Sequence, residues 1–276
     1  MSRSLDFLSF TSSSGASSSL PARRSFLVTD SVACPATFLL TLLISQALRP
    51  SSITARQGSE GVNLWNNHNS KKKRKVVLVG VKESQADYVH LLKKQGIQLA
   101  TERTTDAFEF VDGSHGDLSK TFSTLRSSLV AAGARDEAEH AGPLVVIDDV
   151  STLSWIGNDV ERVARFVLAI QTIVRTANAT LVSVLHSDSL EPCPSISDRS
   201  DQWLFRKLLQ GSDWWIELKN LDSQSRGELS IHSAPSLLPP PLSSDALDPR
   251  SGKTALQYRV EETGAEFEVK GVGKFL

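Results

Sequence analysis

The chain has little sulfur chemistry to offer: two cysteines, Cys34 and Cys193, in 276 residues. Two scattered thiols supply neither a disulfide framework nor a zinc site, and they suit a reducing compartment. The six histidines are dispersed, with no His-x-x-x-His pairing, and no Cys-x-x-Cys occurs, so no resident metal or other cofactor is expected. Excess charge is missing too. Thirty basic against 31 acidic residues leave a formal net charge of −1, hence no global pull on nucleic acid or anionic lipid. Such binding has to come from local patches or from partners.

A run of membrane-spanning length is also lacking. The nearest candidate is "VACPATFLLTLLISQAL", Val32 to Leu48. It is short for about 30 Å of hydrocarbon, contains Pro35, and carries Thr37, Thr41, Ser45 and Gln46. Asp30 just ahead of it argues against a signal peptide. The segment reads as a buried amphipathic helix from about Thr37 to Leu48, and no membrane partner is expected.

The most telling absence concerns phosphate. A loop of the form G-x-x-x-x-G-K-[ST] uses glycines to turn backbone N–H groups onto phosphate, Lys to neutralise charge, and Ser/Thr to meet Mg²⁺. Between the first strand, "SFLVT", and the first helix the chain has "DSVACPAT", Asp30 to Thr37. Asp30 stands at the first glycine position, Pro35 at the second and Ala36 at the lysine; only Thr37 keeps its place. Proline also removes an N–H donor. An ordinary phosphate site is therefore excluded, and Asp30 is expected to face the place of the missing phosphate.

What is present is an α/β pattern. "VVLVG", "FEFVDG", "LVVI" and "ATLVSVLH" read as buried strands, and helical segments with three- and four-residue apolar spacing separate them. Ser84 caps one helix and Gly96 ends it; Leu118, Phe122, Leu125 and Leu129 stripe another. Asn158 or Asp159 caps a third, with Val160, Val163, Val167, Ile170 and Val174 inward. Such alternation predicts a mostly parallel sheet flanked by helices. The C-terminal part differs: "DWWIELKNL" pairs with "GELSIHSA", and "LQYRVEETGAEFEV" is a hairpin turning at Gly264. Residues 1–24 read as a mobile Ser-rich tail and 25–276 as one domain with insertions at 49–75 and 235–252.

Asp148 and Asp149 end the strand "LVVI". In nucleotide hydrolases such a strand end holds Mg²⁺ and positions water. With no phosphate loop, the favoured reading is that both carboxylates cap the backbone of "VSTLSWIG". An active hydrolase with an unorthodox loop is the alternative. Ser183, His186 and Asp188 have the residue types of a hydrolytic triad but lack a nucleophile elbow. "KKKRK", Lys71 to Lys75, is a nuclear import signal, a phosphate contact or a solvated loop end. Arg199, Arg206 and Lys207 form a thin basic set in what reads as a polar loop after "ATLVSVLH".

In order, these pieces resemble the Elongator complex protein 6 family: "SFLVTDSVACPATFLLTLLISQAL", "VVIDDVSTLSWIG", "ATLVSVLH" and "LQYRVEETGAEFEVKGVGKFL". The resemblance implies a RecA-like domain with a degenerate Walker A loop, in which Thr37, Asp148 and Asp149 are remnants. It implies a non-catalytic subunit that joins the fourth and fifth Elongator subunits in a heterohexameric ring beside the catalytic subcomplex. That ring handles tRNA during wobble-uridine modification. The implied location is cytoplasmic, with the nucleus open through Lys71–Lys75. By analogy with RecA-like rings, Ser151–Asn158 and Ser187–Gly211 are the loops expected to meet tRNA or partners. Trp155, Trp203, Trp214 and Trp215 serve either subunit interfaces or the domain's own core.

Overall fold

The computed structural model describes residues 20–49, 73–133, 142–186, 188, 196–223, 225–233, 255–262 and 264–269. Nearly all of the two expected insertions lies outside these residues, as do Lys71 and Lys72. Among the described residues nine strands form one sheet in the order β3-β2-β4-β5-β1-β6-β7-β8-β9. The strands are β1 (Ser25–Asp30), β2 (Val76–Gly80), β3 (Phe108–Asp112), β4 (Leu144–Ile147), β5 (Thr180–His186), β6 (Trp214–Ser223), β7 (Arg226–Ser233), β8 (Ala255–Glu261) and β9 (Gly264–Val269). The first six lie mutually parallel, and β7 to β9 continue the sheet antiparallel. The parallel body and the antiparallel wing thus share one sheet, joined where β6 pairs with both β1 and β7.

Seven helices flank it among the described residues: α1 (Thr37–Leu48), α2 (Gln85–Lys94), α3 (Leu99–Thr104), α4 (Leu118–Gly133), α5 (Val150–Trp155), α6 (Val160–Thr176) and α7 (Ile196–Gly211). β1, β2, β4 and β5 are buried along their whole length, because helices cover both faces. Alternate side chains therefore enter two cores. Phe26, Val28, Leu78, Val146 and Val182 meet α1 and α2 on one side; Leu27, Val77, Val145 and Leu181 meet α4, α6 and α7 on the other.

Local signals explain the helix starts. Ser84 and Asp87 form a reciprocal capping box for α2. Asp159 caps α6, accepting from Glu161 and Arg162 N–H. Val32–Leu48 contains α1, whose Leu39, Leu40, Leu43 and Ile44 are buried against the sheet. Among the described residues no helix is long and apolar enough to cross a membrane.

Two expectations need correction. The segment after β5 is not a loop throughout: α7 occupies Ile196–Gly211, and Leu204 and Leu208 on one face are fully buried. The expected tail also ends early, because Leu20 is buried at 5 % exposure and Arg23 N–H donates to Ala179 O at 2.7 Å.

Candidate functional site

The C-terminal ends of β1, β4 and β5 bring together Asp30, Asp148, Asp149 and His186. In open α/β sheets this edge is where ligands bind. Here the groups bind one another. Asp30, 2 % exposed, does not face an open phosphate position. Its Oδ2 accepts the Ala36 N–H at 2.8 Å, and its Oδ1 lies 2.5 Å from His186 Nδ1. The N–H that follows Pro35 is thereby held by a carboxylate of the chain itself. A helix start attracts anions, and α1 has no other side-chain cap.

The two adjacent aspartates separate in role. Asp149 behaves as the sequence predicts: it is the N-cap of α5, accepting from Ser151 N–H at 2.8 Å, Thr152 N–H at 3.3 Å and Thr152 Oγ1 at 2.9 Å. Asp148 does not cap that segment. It turns to the loop after β2 and accepts from Val81, Lys82 and Glu83 N–H, at 2.7, 3.2 and 3.0 Å. Burial pushes the Asp148 carboxyl up to about 6, against these three bonds. Burial also raises Asp149, which the nearby His186 opposes.

His186 is the hub. Nε2 lies 3.3 Å from Asp149 Oδ2, and the backbone N–H donates to Ser151 Oγ at 2.9 Å. The bond to Asp30 is the main reason its pKa is raised above the ordinary histidine value; burial acts the other way. The Trp155 indole stacks over the imidazole at 5.5 Å and 16° while remaining 56 % exposed. The triad types do not assemble. Ser183 Oγ donates to Phe26 O at 3.4 Å, and Asp188 accepts the Val32 N–H.

Thr37 lines a cavity of about 290 Å³ between α1, α2 and the β8–β9 hairpin, with Cys34, Phe38 and Tyr258. Tyr258 reaches Cys34 through a hydroxyl–thiol contact, and burial raises both groups' pKa values. Gly227, opposite Tyr258 on β7, leaves room for the ring: a Cβ there would meet the phenol. Arg206 and Lys207 lie on α7 rather than on a loop, and Lys207 Nζ sits 5.6 Å from the Trp203 ring. Arg199 is on the same helix. Ser151–Asn158 is mostly α5, not a loop. Trp155 and Trp203 are exposed; Trp214 packs against the first core, and Trp215 Nε1 donates to Thr29 Oγ1 at 2.8 Å.

The described part of the basic run, Lys73 to Lys75, is tied to the fold. Arg74 donates to Leu20 O, Gly142 O, Pro143 O and Thr180 Oγ1, tying together the segment before β1 and the starts of β4 and β5. Burial lowers its pKa to about 9, which leaves it charged at neutral pH. Lys73 pairs with Glu102 at 2.7 Å, and Lys75 with Asp106 at 3.2 Å and Glu109 at 3.3 Å. Spacing could not reveal His186 as a hub. A histidine ending a largely apolar strand is the available signal, since that position falls on the ligand edge of a parallel sheet.

Sheet order, crossovers and this edge define a RecA-like fold with C-terminal antiparallel strands. Among solved structures the chain is similar to a KaiC-like protein from the hyperthermophilic archaeon Pyrococcus horikoshii OT3. The TM-score is 0.58 at 10% identity, over 90% of this chain and 91% of that one. No protein-family model and no curated protein matches the sequence.

Proposed function

We propose that this chain is a non-catalytic RecA-like subunit of the Elongator complex, the counterpart of its sixth subunit. In this reading it joins the fourth and fifth subunits in a heterohexameric ring that associates with the catalytic subcomplex. The ring binds tRNA and supports wobble-uridine modification. The observation that carries the non-catalytic part is the Asp30 carboxylate, which takes the Ala36 N–H where a nucleotide hydrolase would present N–H groups to phosphate. Phosphoryl transfer depends on clustered positive charge around the transferred group, and "DSVACPAT" has none. The Elongator part rests on the order of the matching segments. The exposed Trp155 and the Trp203–Lys207 pair are the contacts offered to neighbouring subunits or RNA.

Affinity purification of the tagged full chain, with the mass of the assembly measured, tests this reading. Two other RecA-like subunits in equal amounts, in an assembly that retains tRNA, are the expected outcome. A partner-free monomer would refute the Elongator assignment. ATP turnover by the purified chain, lost in Asp148→Asn, would replace it with the hydrolase reading.

A further inference from the structure

His186 Nε2 stands between an acceptor and a donor. Asp149 Oδ2 lies 3.3 Å from it and Lys82 Nζ lies 3.5 Å from it. One ring nitrogen cannot serve both. With a proton it donates to Asp149; without one its lone pair accepts from Lys82. Nδ1 faces Asp30, an acceptor, so it keeps its proton in either state. The two neighbours belong to different elements. Asp149 caps α5, and Lys82 belongs to the loop between β2 and α2.

We propose that His186 is a proton-operated switch: when charged it fastens α5 to the sheet through Asp149, and when neutral it fastens the β2–α2 loop through Lys82. The surrounding charges are accounted for. Asp148, beside Asp149, is committed to the N–H groups of Val81, Lys82 and Glu83, and Tyr88 of α2 reaches it at 3.5 Å. Cys34 and Tyr258 face Asp30 from the loop after β1 and from β8. Asp188, just past β5, holds the Val32 N–H at 2.7 Å. The protonated state is favoured by the Asp30 bond and by the charges of Asp30 and Asp149, and opposed by burial and Lys82.

The switch acts on an exposed feature, because Trp155 at the end of α5 stacks on this same imidazole. Proton loss therefore changes how firmly α5 presents Trp155 to solvent or to a partner. This holds whether or not the chain joins a ring.

The test is a pH titration of the full chain by NMR, with ¹⁵N-labelled histidine reporting the Nε2 state. Amide exchange is followed at 81–84 and 150–156. The His186 midpoint should lie above the ordinary value of about 6.5. Through that midpoint, with the intrinsic acceleration of amide exchange by hydroxide divided out, rising pH should lower protection in 150–156 and raise it in 81–84, each on the order of tenfold. Lys82→Met should raise the midpoint and suppress the change at 81–84; Asp149→Asn should lower it. An Nε2 that keeps one protonation state from pH 5 to 9, or exchange in both segments indifferent to the midpoint, would overturn the proposal. The wild-type titration alone decides this if a variant fails to fold.

Discussion

The two ends of the parallel strands are both closed by charge, part-buried at one end and buried at the other, with different chemistry. At the N-terminal ends Arg74 bridges three backbone carbonyls and Thr180, and Asp213 takes the Ser25 N–H and pairs with Arg24. At the C-terminal ends two carboxylates meet across an imidazole. A guanidinium stays charged through the neutral range, so the first clamp does not depend on the proton. An imidazole between carboxylates does, so the second clamp responds to pH. The fold is fastened at the edge that holds it and adjustable at the edge where RecA-like folds carry their chemistry.

The largest expected effect tests the fixed edge. Arg74→Ala removes a charged donor from Leu20 O, Gly142 O, Pro143 O and Thr180 Oγ1 together and should cost about 3 kcal/mol in urea unfolding. Arg74→Lys keeps the charge without the planar fork and should recover only part of it. A loss under about 0.5 kcal/mol for Arg74→Ala would show that the clamp is ornamental.

Asp149→Ala comes next. It removes the α5 cap and one side of the His186 pair, for about 2 kcal/mol at neutral pH. Asp149→Asn, which can still cap, should lose less and show the split between capping and charge.

The pH dependence separates the edges more sharply than magnitude does. His186 has a raised folded pKa, so its contribution is complete below the unfolded value of about 6.5 and is lost as pH rises through the folded one. Asp148, raised to about 6, has the same sign: its contribution fades as pH rises from about 3.9 to 6. Stability should therefore fall from pH 4 towards 8. His186→Gln should flatten the upper part of that slope, whereas Arg74→Lys should lower the curve without changing its slope. Equal slopes in all three proteins would erase the distinction. The smallest effect belongs to Trp155→Ala, within about 1 kcal/mol because the indole is half exposed, although its emission should lose the His186-linked change.

Sequence reasoning reached the parts of this comparison that local pattern encodes. Thr37–Leu48, Leu118–Gly133 and the buried strands follow from apolar periodicity, and Ser84 and Asp159 from capping chemistry. α5 and α7 were hidden by polar composition, although Leu204 and Leu208 have the spacing of one buried helix face. Asp30 was legible as an intruder in the phosphate position, but its partner was not. In sequence His186 stands beside Ser183 and Asp188, whereas sheet order places it beside Asp30 and Asp149. Arg74 vanished in the same way, inside a run of like charges that composition treats as solvated. Register across a parallel sheet is a long-range property, and no local spacing carries it.

In the loop after β1 the Asp30 carboxylate accepts the Ala36 N–H, and the proposed non-catalytic role rests on that bond. Calorimetric titration of the purified full chain with Mg-ATP at neutral pH tests it most directly. No saturable heat and no phosphate release are expected. Stoichiometric binding that Asp30→Asn leaves unchanged would contradict it.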